Sequence, residues 1–169
     1  MEQWDLYDKD RNSLGETIVR GDPHPEGTYH LVVGVWIVNS LKQVLLTLRH
    51  PEKEQFPNLW ENTGGSVLAG ETSLQGAVRE LKEETGIIVR GKELIRLGSL
   101  TEKTAIVDVY MLKKDFAIKD LKLQPEEVVD ARWVTLRRFE QMIDTDMVSQ
   151  ASVRRWKAVK NTFLKEAGF

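Results

Sequence analysis

The sequence predicts an α/β domain in which a mixed β-sheet is sandwiched by helices, with a β-hairpin in front and an amphipathic helix at the end. Three observations carry the prediction. Tyr29 to Asn39, YHLVVGVWIVN, is a nearly continuous apolar and β-branched run, the pattern of a central strand buried on both faces. Strand and helix patterns alternate along the rest of the chain without long gaps, internal repeats or a Pro/Gly/Ser-rich linker. Finally, 169 residues with 41% hydrophobic and 30% charged side chains make one globular domain. Such a chain buries roughly 70% of its unfolded surface and needs no disulfide or metal to fold. The divisions expected within it are a hairpin over 1–27, a core over 28–145 and a final helix over 146–169.

Taken in order, Trp4 to Tyr7 and Glu16 to Val19 read as two short strands around the polar turn Asp8-Lys9-Asp10-Arg11-Asn12. The turn imitates a calcium loop but carries Ser13 where such a loop needs glycine and Val19 where it needs glutamate. Gln43 to Arg49 follows the central strand as its partner. Alternation puts Val44, Leu46 and Leu48 on one face and Leu45, Thr47 and Arg49 on the other, so Arg49 leaves the strand toward the loop that holds Lys53. Both cations are candidates to meet phosphate oxygens, with solvated surface as the alternative. Glu93 to Leu100 and Ala105 to Leu112 read as a hairpin, Ala131 to Val134 as a short strand, and Thr135 as the cap of a helix bearing Leu136, Phe139 and Met142. In the last helix Val148, Trp156, Val159 and Phe163 recur on one side, and residues 151–169 hold five basic side chains against one acidic. That segment is expected to pack on its own domain rather than on a membrane.

Thr72 and Gln75 form a capping box that starts a helix from about Ser73, and Gly86 is placed to end it after Thr85. On that helix Glu80, Glu83 and Glu84 are i, i+3 and i+4 neighbours on one face, beside an apolar stripe of Leu74, Ala77, Val78 and Leu81. Two like charges about 6 Å apart repel by roughly 3 kcal/mol at an effective dielectric of about 20. Arg79 can orient one carboxylate, which leaves an excess of negative charge. A hard divalent cation with oxygen ligands, Mg²⁺ or Mn²⁺, fits the remainder. A solvated acidic face is the bland alternative.

The order of letters removes that ambiguity. Gly65, Glu71, Arg79, Glu80, Leu81, Glu83, Glu84, Gly86 and Ile87 spell G-x5-E-x7-R-E-U-x-E-E-x-G-U, with U aliphatic, and a chance match in one window is on the order of 10⁻⁸ from average composition. This is the Nudix box, and the chain resembles a Nudix hydrolase over roughly residues 28 to 145. The resemblance implies the α-β-α sandwich of that family and divalent-metal-dependent hydrolysis of a small-molecule diphosphate, such as a nucleoside diphosphate derivative, by attack of water on phosphorus. It makes Glu80, Glu83 and Arg79 the catalytic set. Glu80 and Glu84 become direct metal ligands, Glu83 a ligand through water or the base, Gly65 a carbonyl facing the metal, and Glu127 a further carboxylate from outside the helix.

Tyr29-His30, the segment Arg49 to Trp60 and the sequence LWENTGG also resemble type I isopentenyl diphosphate isomerase, a relative of the same fold. Arg49 and Lys53 match its diphosphate-contacting positions, and His30 falls where it has one of its metal-site histidines, with His24 nearby. Trp60, with Trp36 and Phe56, suits either stacking on a base or the core. The isomerase uses a cysteine just after the Trp-x-Asn segment, whereas this chain reads Thr63-Gly64-Gly65 there and has no cysteine at all, so the double-bond shift loses an acid-base partner. Family members that act as ligand sensors carry a damaged box or a fused DNA-binding segment, and neither is seen. The formal charge of −2 argues against stable nucleic-acid binding. The first residues lack a basic and apolar leader, and no apolar run approaches the roughly 18 residues of a membrane span. A cytoplasmic location is expected, and a homodimer is an allowed assembly.

Overall fold

Every position of strand β3 (His30–Val38) is buried, as its unbroken apolar sequence requires. The computed structural model describes all residues, 1–169, and arranges them around this strand. Along its whole length β3 pairs in parallel with β8 (Ala105–Lys113), which in turn pairs antiparallel with β7 (Leu94–Thr101). On its other edge β3 has two partners. Val32 to Val35 pair with β6 (Thr63–Ser66), while β4 (Gln43–Arg49) meets β3 only where Val38 faces Val44. Strand β4 then diverges to pair with β5 (Trp60–Glu61) and β9 (Val128–Thr135). The sheet is thus split below Val38, and residues 60–66 cross the split.

Side-chain alternation on β3 sends Val32, Trp36 and Val38 to one face and Leu31, Val33, Val35 and Ile37 to the other. The first set packs with Phe139 and Met142 of α2 (Leu136–Asp144) and with Trp156, Val159 and Phe163 of α3 (Gln150–Ala167). The second packs with Ala77 and Leu81 of α1 (Ser73–Thr85). The result is the three-layer α-β-α sandwich expected. The capping box is formed: Thr72 Oγ1 accepts from the Gln75 N–H at 3.2 Å and Gln75 Oε1 from the Thr72 N–H at 2.8 Å, and Gly86 closes α1 at φ 74°.

β1 (Gln3–Tyr7) and β2 (Ser13–Val19) form a separate two-stranded hairpin. In its turn the Asp8 carboxylate accepts from the N–H groups of Asp10 and Asn12 and from the Asn12 amide, so its oxygens are spent inside the turn. Arg11, at φ 66°, carries its guanidinium back to Asp108 on β8 and pins the hairpin to the sheet.

The structure corrects several local expectations. Strands β5 and β6 were not predicted, and β2 and β9 begin earlier than expected, at Ser13 and Val128. Leu74 is 36% exposed and leaves the stripe of α1, where Ala77 and Leu81 are buried, Val78 packs against them and Ser73 and Gly76 are buried as well. Val148 lies outside the last helix. Ser149 caps α3, and Val148 bridges to Trp60.

Candidate active site

The capping geometry of α1 fixes where its acids point, and the three glutamates occupy three depths. Glu84 is 7% exposed, the Glu80 side chain 13% and the Glu83 side chain 49%. Arg79 sits at the centre of the rim. Its guanidinium donates to Glu71 Oε1 at 2.9 Å, Glu80 Oε1 at 2.8 Å, Glu83 Oε2 at 3.0 Å and the Ser66 carbonyl at 2.8 Å. It therefore ties the helix to the end of β6 and orients two of the three glutamates. Glu71 completes the arrangement by accepting from the Leu68 N–H, which closes the loop between β6 and α1.

The sheet side of the site comes from the split. A side chain at Gly65 would displace the Glu80 carboxylate, because a Cβ there would fall within 3.0 Å of all three of its atoms. A Cβ at Gly64 would likewise run into the Val33 carbonyl. These two glycines let α1 close directly onto β6. Gly64 N–H donates to Glu84 Oε2 at 3.2 Å. Glu61 on β5 is paired with Arg49 of β4 at 2.7 Å, and Glu127, just before β9, is paired with Lys53.

These surroundings shift the carboxyls in one direction. Burial pushes Glu84 well above the usual carboxylate range, and the nearby charges of Glu61, Glu80 and Glu127 push it further, against one opposing N–H from Gly64. Glu80 is raised by burial despite Arg79, and Glu61 by burial despite Arg49. Glu84 has no cationic partner at all. Glu84 is thus a buried acid within electrostatic reach of three others.

Comparison with known proteins agrees. A NUDIX domain model matches residues 28–156. The chain belongs to the Nudix family. It is 40% identical over 143 residues to an uncharacterised Nudix hydrolase of Listeria monocytogenes, covering 84% of this chain and 85% of that one. It is also 28% identical over 138 residues to an isopentenyl-diphosphate Delta-isomerase of Escherichia coli, covering 74% and 76%. Among solved structures, DR0079 from Deinococcus radiodurans superposes with a TM-score of 0.74 at 26% identity, covering 88% of this chain and 92% of that one. The protein is a Nudix hydrolase, and the family acts on nucleoside diphosphate derivatives.

Nudix hydrolases generally use divalent metals. The residues present fit such an ion: the donors are all oxygens, Glu84 is buried without a counter-charge, and the Glu80 carboxylate lies against Gly65. No three of the acids converge into a ready-made cage. The reason is visible in the ion pairs, since Arg49, Lys53 and Arg79 each draw a carboxylate toward themselves.

Of the residues singled out in the sequence, the structure brings together Arg79, Glu80, Glu83, Glu84, Gly65, Arg49, Lys53 and Glu127. It gives His30 and Trp60 other neighbours. His30 stacks on Trp4 at 4.3 Å between ring centroids and shares a hydrogen bond of 3.2 Å with His24. Burial, with His24 beside it, pulls the His30 pKa down to about 4. Trp60 is 5% exposed in the layer under α3, and Arg132 lies over its ring at 4.6 Å. Trp36, 0% exposed between Phe139 and Trp156, is core. Sequence reasoning missed Glu61. Its signal was the pairing of LWEN with the end of β4, which sets Glu61 opposite Thr47 and on the same side as Arg49.

Proposed function

We propose that this protein hydrolyses a diphosphate bond in a nucleoside diphosphate derivative by attack of water on phosphorus, with Mg²⁺ or Mn²⁺ held by Glu80, Glu84 and Glu83. The Gly65 carbonyl and Glu127 are the further oxygen donors. The observation that carries the reading is Glu84, buried among Glu61, Glu80 and Glu127 with no cation of the chain to neutralise it. A bound divalent ion supplies neutralisation of the diphosphate oxygens and activation of water there. The chain's own residues do the rest. Arg79 holds Glu80 and Glu83 in place, and Glu83, the most exposed of the three acids, takes the proton of the attacking water. Arg49 and Lys53 are the cations for the diphosphate, and exchanging Glu61 and Glu127 for phosphate oxygens keeps each of them paired. The same reading places the enzyme, with substrates of this kind, in the cytoplasm.

Hydrolysis asks for one base and a charge clamp, whereas isomerisation of isopentenyl diphosphate asks for a second acid or base across the substrate, where Gly64 and Gly65 carry no side chain. The test is a library of nucleoside diphosphate derivatives with Mg²⁺ or Mn²⁺ in ¹⁸O-water, products being read by mass. Label in a phosphate product is expected. Absence of cleavage across the library, or conversion of isopentenyl diphosphate to its dimethylallyl isomer faster than a Glu83→Gln control, would overturn the reading.

A further inference from the structure

Along its outer flank α1 leaves apolar surface open to solvent. Leu74 is 36% exposed there and Val78, one turn on, is half-buried. The segment Val89-Arg90-Gly91, which leads into β7, forms the facing wall. Gly91 lets the two walls close at one point, since a Cβ on it would lie 3.0 Å from Leu74 Cδ2. Between them runs an open groove of about 580 Å³, a size in the range of small-molecule sites. From Leu74 to Lys82 it follows α1 for about 12 Å at the helical rise.

Two features say what fits the groove. Arg79 and Glu83 belong to its lining as well as to the acid cluster of the active site, so a ligand held at that cluster is continuous with the groove. The lining is also short of negative charge. Arg79 is paired with Glu83 at 3.0 Å, Arg90 Nε stands at a loose 3.6 Å from Glu93 Oε2, and exposed Lys82 has no ion pair. Leu74, Val78 and Val89 thus offer an apolar bed beside one ammonium that the chain leaves without a partner.

We propose that this groove holds the non-reacting arm of the substrate, a short apolar chain attached to the diphosphate and ending in a carboxylate that pairs with Lys82. The chain covers Leu74, Val78 and Val89, and one unpaired ammonium matches one carboxylate. The inference rests on the hydrolase reading above, which puts the diphosphate at the acid cluster, and it names what the diphosphate carries.

The methyl, hexyl, carboxypentyl and aminohexyl esters of the β-phosphate of ADP and of UDP test it, read both by kcat/KM with Mg²⁺ and by calorimetry in chelator. The hexyl ester is expected to exceed the methyl ester about tenfold, from burial of the chain, and the carboxypentyl ester to exceed the hexyl about threefold, the size of an exposed ion pair. Lys82→Met should remove the second preference, keep the first and leave the methyl ester unchanged. Lys82→Glu should invert the order of the carboxypentyl and aminohexyl esters. Equal values for all four esters in the wild type, or an order that Lys82→Glu does not change, would overturn the subsite. So would a dimer that Leu74→Asp dissociates without altering the ester order, which would give the groove to a second copy of the chain. The two readouts separate the claims. Cleavage of all esters at one rate sinks the subsite and keeps the hydrolase, whereas ester-selective binding without cleavage does the reverse.

Discussion

Two buried acids, Asp108 and Glu84, stand on the same side of the sheet and are treated in opposite ways. Asp108 is 1% exposed on β8 and accepts from both terminal nitrogens of Arg11 and from Arg96 at 2.9 Å. Burial alone would raise its pKa, but Arg11, Ser73 and Arg96 outweigh burial and hold the carboxyl well below the usual range. Glu84 is 7% exposed, accepts one backbone N–H and is pushed the other way. The desolvation cost is of the same kind in both places. At Asp108 the chain supplies the counter-charge and gains a clamp on its N-terminal hairpin. At Glu84 it supplies none, so burial drives the carboxyl toward its protonated form and a bound cation would restore the charge.

The largest expected effect comes from removing the unmatched acid. Glu84→Gln should cost about two to four decades in turnover with saturating Mg²⁺, because it deletes a donor charge that stabilises the transition state. In chelator, the same variant should melt no lower than the wild type, since an uncompensated buried charge is gone. A variant with more than half of wild-type turnover would take Glu84 out of the site.

The matched acid should behave in the opposite sense. Asp108→Asn is expected to destabilise the protein by about 3 kcal/mol, near the lower end for a broken buried pair, because Arg11 and Arg96 keep some contact with water. Amides of β1 and β2 should lose hydrogen-exchange protection first, and turnover of the folded fraction should be kept. If those amides stay protected, Asp108 does not clamp the hairpin.

His30 offers a smaller, pH-resolved comparison with both acids. Its folded pKa, about 4, lies below the ordinary 6.5, so the folded state resists taking up the proton. The unfolded chain then binds more protons between these values, and stability falls as pH drops from about 6.5 toward 4, by on the order of 2–3 kcal/mol. Asp108 acts in the same direction at lower pH, from the ordinary carboxylate range downward. His30→Phe, which keeps a ring against Trp4, should flatten the upper part of the curve, and an unchanged slope would place the titration elsewhere.

How legible this molecule is in its sequence varies with how local the causes are. Helix α1 could be read to the residue, since Thr72, Gln75 and Gly86 define its ends by short-range hydrogen bonds. Strand β3 was equally plain, because a strand buried on both faces has no polar positions to confuse its pattern. Strands β5 and β6 were not legible. Trp60–Glu61 is too short to show a period, and Thr63–Ser66 contains two glycines, poor strand formers that pair here because Gly64 faces Gly34. The box announced its acids but not their depths, which depend on how closely Gly65 lets α1 approach. Arg155 looked like one more cation of a basic helix. Its burial follows from Ser152 docking on Asn62, a contact between residues ninety apart that no local pattern encodes.

The contrast between the two acids is tested most directly by thermal unfolding against Mg²⁺ concentration at constant ionic strength, for the wild type, Glu84→Gln and Asp108→Asn. A ligand that binds only the folded state adds about 2.7 kcal/mol at one hundred times its Kd, or roughly 5–10 °C for a chain of this size. The wild type and Asp108→Asn, from different starting points, should show the same Mg²⁺-dependent rise, and Glu84→Gln should lose most of it. Equal rises in the wild type and Glu84→Gln, or a wild-type rise that NaCl reproduces, would contradict the claim that the chain leaves Glu84 for a metal ion.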